Sequence, residues 1–198
     1  MALVKLNNRG VRSATTFGSI SALGEMRFIK KQTASSSATI SFVDGTSDVV
    51  LDDTYKEYLF TFNNIHPSVD GEKCGFQANA SGGSGYNETM TTTFFHAAHN
   101  ESDSDAGPIE YEAGYDLAQA TTFQRITRNT GNQNDECWGG LLRLFNPSST
   151  TFVKHFISVT QSIQGNEYSD HSFAAGYFNT TSAIDEIQFK MESGDIDA

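Results

Sequence analysis

The side chains of this chain that bear on chemistry are scattered, so their spacing decides what they can do. His96 and His99 stand three apart in HAAH. That spacing converges on a metal only along a helix; on a strand the two rings face opposite sides. His66, His155 and His171 are spread over turn and strand positions in no triad order. Glu101, Asp103 and Asp105 alternate like part of a calcium loop, without the middle glycine and closing glutamate of an EF-hand, and read as a solvated acidic loop. Asp185 with Glu186, and Glu110 with Glu112, are the kind of carboxylate pair that flanks a glycosidic bond, where about 5 to 9 Å must separate the groups. A chain with 24 acidic residues contains such pairs by composition alone. GxSxG, GxxxxGK[ST] and HExxH are absent, and GSISALG at Gly18 to Gly24 lacks the preceding strand and the spacing of a dinucleotide loop. No catalytic residue, metal ligand or cofactor is therefore assigned, and a non-enzymatic protein is expected.

Four tyrosines are a separate matter. Tyr86, Tyr111, Tyr115 and Tyr168 sit in or beside expected loops, near Asn and Asp, while phenylalanines fill the core positions. A loop phenol can stack on a sugar face while neighbouring amides and carboxylates bond its hydroxyls. These four are the candidate glycan contacts.

Composition narrows the classes further. The net charge of −11, from 13 basic and 24 acidic residues, argues against nucleic acid as a partner. No apolar run approaches the roughly 18 to 20 residues that span a bilayer, so membrane insertion is not expected. MALVKLNNRG lacks the apolar core of a signal peptide. Without a secretion signal, Cys74 and Cys137 are expected as buried thiols in strands rather than as a mutual disulfide. Residues 1–24 read as an N-terminal arm made locally basic by Lys5, Arg9 and Arg12, the assembly-arm candidates. Residues 25–198 read as one β-sandwich domain.

The elements that must position these residues are strands. Tyr58, Phe60 and Phe62 alternate with polar residues, the mark of a strand buried mainly on one side. Asn63 to Gly71, rich in Asn, Pro, Asp and Gly, reads as a turn, and Cys74, Phe76 and Ala78 line the partner strand. Further strands are expected at Met26 to Gln32, Thr39 to Val43, Asn87 to Ala97, Thr121 to Thr127, Glu136 to Asn146, Thr151 to Ser162, Phe173 to Phe178 and Ile184 to Met191. Glu136 to Asn146 is apolar on both faces, which predicts a central strand covered on both sides. Asn100 to Gly114 is the longest expected loop. Eight to ten strands with aromatic faces must pack as two antiparallel sheets. The expected fold is all-β, an antiparallel β-sandwich of jelly-roll type.

DTYKEYLFTFNNIHPSVDG (Asp53 to Gly71) and the following GGSGY resemble a module of virion structural proteins of tailed bacteriophages, the marine phages especially. LFNPSSTTFVKHF (Leu144 to Phe156), AGYFNTTSAIDEIQFKMESGDIDA (Ala175 to Ala198) and MALVKLNNRG are similar to segments of the same proteins in the same order. The resemblance implies a tail-fibre or receptor-binding protein, or a capsid decoration protein. It also implies assembly in the host cytoplasm, location in the virion, self-association with a trimer favoured, contacts with other virion proteins, and a host surface glycan as a possible ligand. Similar proteins usually continue past SG-x-I-D-A with a short final strand, whereas this sequence stops at Ala198, so either the chain is shortened or its last sheet edge is expected to be completed by another subunit. The shared residues are those of strands and turns, and no site residue carries over.

Overall fold

The computed structural model describes residues 26–197, and every regular element among them is a strand. In chain order these are β1 (Ile40–Val43), β2 (Glu57–Pro67), β3 (Cys74–Ala80), β4 (Met90–Asn100), β5 (Glu110–Tyr111), β6 (Gln124–Arg125), β7 (Trp138–Phe145), β8 (Lys154–Ile163), β9 (Tyr168–Phe178), β10 (Ile184–Met191) and β11 (Ile196–Asp197). A four-stranded sheet, β1-β10-β3-β6, faces a seven-stranded one, β11-β2-β7-β8-β9-β4-β5. All ladders are antiparallel. The molecule is a β-sandwich. β1 to β4 alternate between the sheets, β7 to β9 run as a meander within the larger one, and β10 returns between β1 and β3.

Phenylalanine joins the layers. Phe76 of β3 meets Phe156 of β8 edge to face at 4.8 Å and Phe178 of β9 at 6.1 Å. Phe189 of β10 packs against Phe62 at 5.1 Å and Phe60 at 5.5 Å, both on β2. Trp138, Leu142 and Leu144 of β7 and Ile184 and Ile187 of β10 are wholly buried between the sheets. Each such side chain contributes about 1.5–3 kcal/mol by leaving water.

β3 shows how side chains complete a sheet. β6 pairs only with Gly75 and Phe76, so the rest of that edge needs other partners. Gln77 Oε1 accepts the Ala78 amide, and its Nε2 donates to the carbonyls of Glu88, Thr121 and Thr122. Glu88 Oε1 accepts from the Ala80 amide. All seven residues of β3 are buried.

Three expectations change. Met26 to Gln32 joins no ladder, and its Met26 and Phe28 are exposed. Asn63 and Asn64 are strand, not turn: the β2–β7 register shifts between Phe62 and Ile65, Asn64 has φ 52, and the turn begins after Pro67. The tolerance of Asn for positive φ serves a β-bulge there. Finally, β7 is covered on its inner face only, because Leu141 and Phe145 point to the uncovered side of the larger sheet. Lys5, Arg9, Arg12 and the rest of the 1–24 arm lie outside the described residues.

Candidate functional site

Three strands of the large sheet, β8, β9 and β4, carry polar residues among their buried positions. On β8 the buried positions are Lys154, Phe156, Ser158, Thr160 and Ser162, while Ile157 and Val159 point outward. On β9 the buried Asp170 and Ser172 alternate with outward His171, Phe173, Ala175 and Tyr177. On β4 the buried Thr92 and His96 alternate with outward Phe95 and Ala97. The inner faces of these strands thus mix polar groups with the buried Phe94, Phe156 and Phe178, and their outer faces mix apolar residues with Thr93, His155, Gln161 and His171.

Between the sheets lies a hydrogen-bonded charge cluster. Asp170, wholly buried, accepts from Arg128 Nη1 at 3.2 Å, Gln164 Nε2 at 2.8 Å and Ser172 Oγ at 2.6 Å, and lies 3.1 Å from His96 Nδ1. Arg128 reaches it from the segment between β6 and β7 and also pairs with Glu112 at 3.6 Å. Tyr115 lies beside it, its ring tilted 41° against Phe94 at 5.1 Å, with the Arg125 guanidinium 4.5 Å from its ring. Burial pushes the Tyr115 phenol up. A His–Asp pair is the skeleton of general-base chemistry, but here Nε2 of the buried His96 has no hydrogen-bond partner and lies 4.0 Å from Glu110 Oε2. What the arrangement does is fasten the segments before β6 and β7 to the back of the large sheet.

Lys154 is another buried charged side chain. Its ammonium donates to the Thr180 carbonyl at 3.1 Å and to that of Ser182, closing the turn between β9 and β10, and burial pushes its pKa down.

The outer face of the sheet is open. Leu141, Val159, Phe173, Phe95 and Tyr111 are successive partners across β7, β8, β9, β4 and β5, so their side chains form one row. Phe95 and Phe173 stack within it, centroids 4.7 Å apart and planes 9° apart. Ile157 and Phe95 are 45% and 37% exposed. One step along the strands runs a shallow groove of about 410 Å³, whose lining includes Thr91, Thr93, Phe145, His155, Ile157 and Ala175. The only Asp, Glu, Lys or Arg at an outward position of β4, β7, β8 or β9 is Arg143, paired with Glu57 of β2 at 3.0 Å.

The structure distributes the expected glycan contacts rather than gathering them. Tyr86 is half-buried in the loop between β3 and β4, its phenol pushed up by burial and by the nearby Glu186 of the small sheet. Tyr111 is exposed on β5 and donates to Asp116. Tyr115 belongs to the charge cluster. Tyr168 opens β9 and donates to Asp105 at 2.7 Å. Of the histidine pair, His96 faces the core and His99 faces outward, 3.2 Å from Asp103. Both cysteines are free, Cys74 buried and Cys137 partly so. Sequence reasoning missed Arg128, Lys154 and Asp170; the signal available was charge at a core phase of an alternating strand, as Lys154 stands in phase with Phe156.

Comparison with protein-family models, with curated proteins and with solved structures finds no match to this chain.

Proposed function

We propose that this chain is a non-enzymatic structural protein of a tailed-bacteriophage virion, of the tail-fibre or receptor-binding type. The supporting observation is that the segments resembling such proteins are framework here. Asp53 to Gly71 contains β2 and the turn after it, Leu144 to Phe156 the connection from β7 into β8, and Ala175 onward the end of β9 with β10 and β11. In this reading the sandwich, with jelly-roll connectivity, self-associates in the particle, which assembles in the host cytoplasm. The loops around β5 present Tyr111 and Tyr168 to a host glycan.

Immunogold labelling of purified particles with an antibody to this chain tests the reading. Label on the tail is expected, and particles free of label would overturn it. A second reading, a capsid decoration protein, is favoured by the basic Lys5, Arg9 and Arg12, and predicts label confined to the head. A glycan array supplies the ligand test: binding that weakens at least tenfold in Tyr111→Ala is expected, and a blank array would remove the glycan part alone.

A further inference from the structure

The ring of His96 is buried, and each of its nitrogens faces a carboxylate. Nδ1 lies 3.1 Å from Asp170 of β9, and Nε2, which has no hydrogen-bond partner, lies 4.0 Å from Oε2 of Glu110 of β5. The second gap is too long for a hydrogen bond. We infer that His96 is a proton-operated latch on β5: the protonated imidazole ties Glu110 to Asp170 and fastens this edge of the large sheet, and the neutral imidazole releases it. The latch stands on these contacts alone and needs nothing from the virion reading.

Imidazole chemistry makes the contact conditional on a proton. A neutral ring carries one N–H and one bare nitrogen. With the hydrogen on Nδ1, the ring donates to Asp170 and turns the lone pair of Nε2 toward the Glu110 carboxylate. With the hydrogen on Nε2, Nδ1 accepts from Arg128 Nη1, 3.2 Å away, and Asp170 loses its bond from the ring. Only the imidazolium donates to both carboxylates, and such charge-assisted bonds are the strong ones. The proton also offsets surplus negative charge. Asp170 of β9, Glu110 of β5 and Glu112 just after it are set against one guanidinium, that of Arg128 in the segment between β6 and β7, which lies 3.2 Å from Asp170 and 3.6 Å from Glu112. Tyr115 beside the cluster stays uncharged, since burial pushes its phenol up. His99, the other histidine of β4, faces outward to Asp103.

β5 is the element on which such a bond acts most. It is two residues long and forms the edge of the seven-stranded sheet, with Glu110 and Tyr111 paired to His96 and Phe95 of β4. His96 and Glu110 are direct cross-strand partners, so their side chains lie on the same face. The Glu110 side chain is 59% exposed and has no other ion-pair partner among the described residues. A turn about its own bonds therefore closes the gap without moving β4. Short exposed edge segments open at low free-energy cost, so one added charge-assisted bond shifts their closed population several-fold. Because β5 lies between the acidic loop that holds Glu101, Asp103 and Asp105 and the segment that holds Glu112, Tyr115 and Asp116, the proton steadies both connections.

Hydrogen exchange of the full chain tests the latch, read as protection factors so that the pH dependence of the chemical exchange step is removed. The Glu112 amide donates to the Phe94 carbonyl at 3.0 Å and continues the β4–β5 ladder. Its protection should rise about fivefold or more from about pH 8 to about pH 5.5, the range in which imidazoles change charge. The Asn146 amide, bonded to the Lys56 carbonyl at 2.7 Å, should change less than about twofold over the same range. Glu110→Ala, which removes the far carboxylate at an exposed position, and His96→Gln, which removes the ionisable ring, should each flatten the rise at Glu112. His99→Gln should keep it. Glu110→Ala carries the test where His96→Gln does not fold. Level protection at Glu112 in the parent, a rise that survives in Glu110→Ala, an equal rise at Asn146, or loss of the rise in His99→Gln would overturn the inference. Labelling of particles decides the virion reading separately, so the two can fail independently.

Discussion

Asp170 is the residue on which most of the buried polar network converges. With Arg128, Gln164 and Ser172 bonded to one wholly buried carboxylate, its removal leaves a guanidinium without its principal counter-charge. Asp170→Ala is expected to cost about 3 kcal/mol, the usual consequence of breaking a buried pair, and part of that should return when Arg128 is replaced by Met in the same chain. Chemical denaturation of the single and double variants measures both; a single variant within 1 kcal/mol of the parent would contradict the role given to Asp170. Tyr58 and Cys74 carry a second prediction, in pH. Burial, with the Asp52 carboxylate adding to it, pushes the Tyr58 phenol from its ordinary 10.0 to about 12, and burial pushes the Cys74 thiol up from 9.0. The unfolded chain therefore releases these protons first. The stability they contribute is intact below about pH 9 and is lost as pH rises toward 12. Denaturation midpoints should be level near neutrality and fall through this window. Tyr58→Phe should cost about 1 kcal/mol at pH 7, through the lost bond to the Asp52 carbonyl, and flatten the fall above pH 10. A parent profile level to pH 12 would be the contrary result.

At the scale of elements, alternation identified strands better than it identified their faces. β10 has the expected bounds, Ile184 to Met191, because Ile187, Phe189 and Met191 fall in one phase and all three are buried. In β8 both phases contain apolar residues, Phe156 in one and Ile157 with Val159 in the other. A period of two cannot say which is inside, and the apolar pair proves to be outside. The charge cluster was illegible for another reason: His96, Arg128, Gln164 and Asp170 come from four segments, and their meeting is a product of sheet order rather than of local spacing. The Asn63-Asn64 pair reads as a turn in sequence because a bulge and a turn ask for the same left-handed tolerance. The edge of β3 yields a test at this scale. Gln77→Ala removes the acceptor of the Ala78 amide and the donor to three carbonyls. A loss of about 1–3 kcal/mol is expected, with faster amide hydrogen exchange at Ala78. Unchanged exchange there would mean that water or backbone takes over the edge.

For the whole molecule, the sandwich offers two kinds of surface: acidic loops at its ends and a large sheet face almost free of charge. Crowded carboxylates mark the loop end, where Glu101 pushes the pKa of Glu167 up. The proposed place in a virion is measured directly by mass spectrometry and immunogold labelling of purified particles from lysates of the cells in which this chain is made. The account predicts that the chain is present in particles and that gold decorates the tail; particles that lack the chain would contradict it.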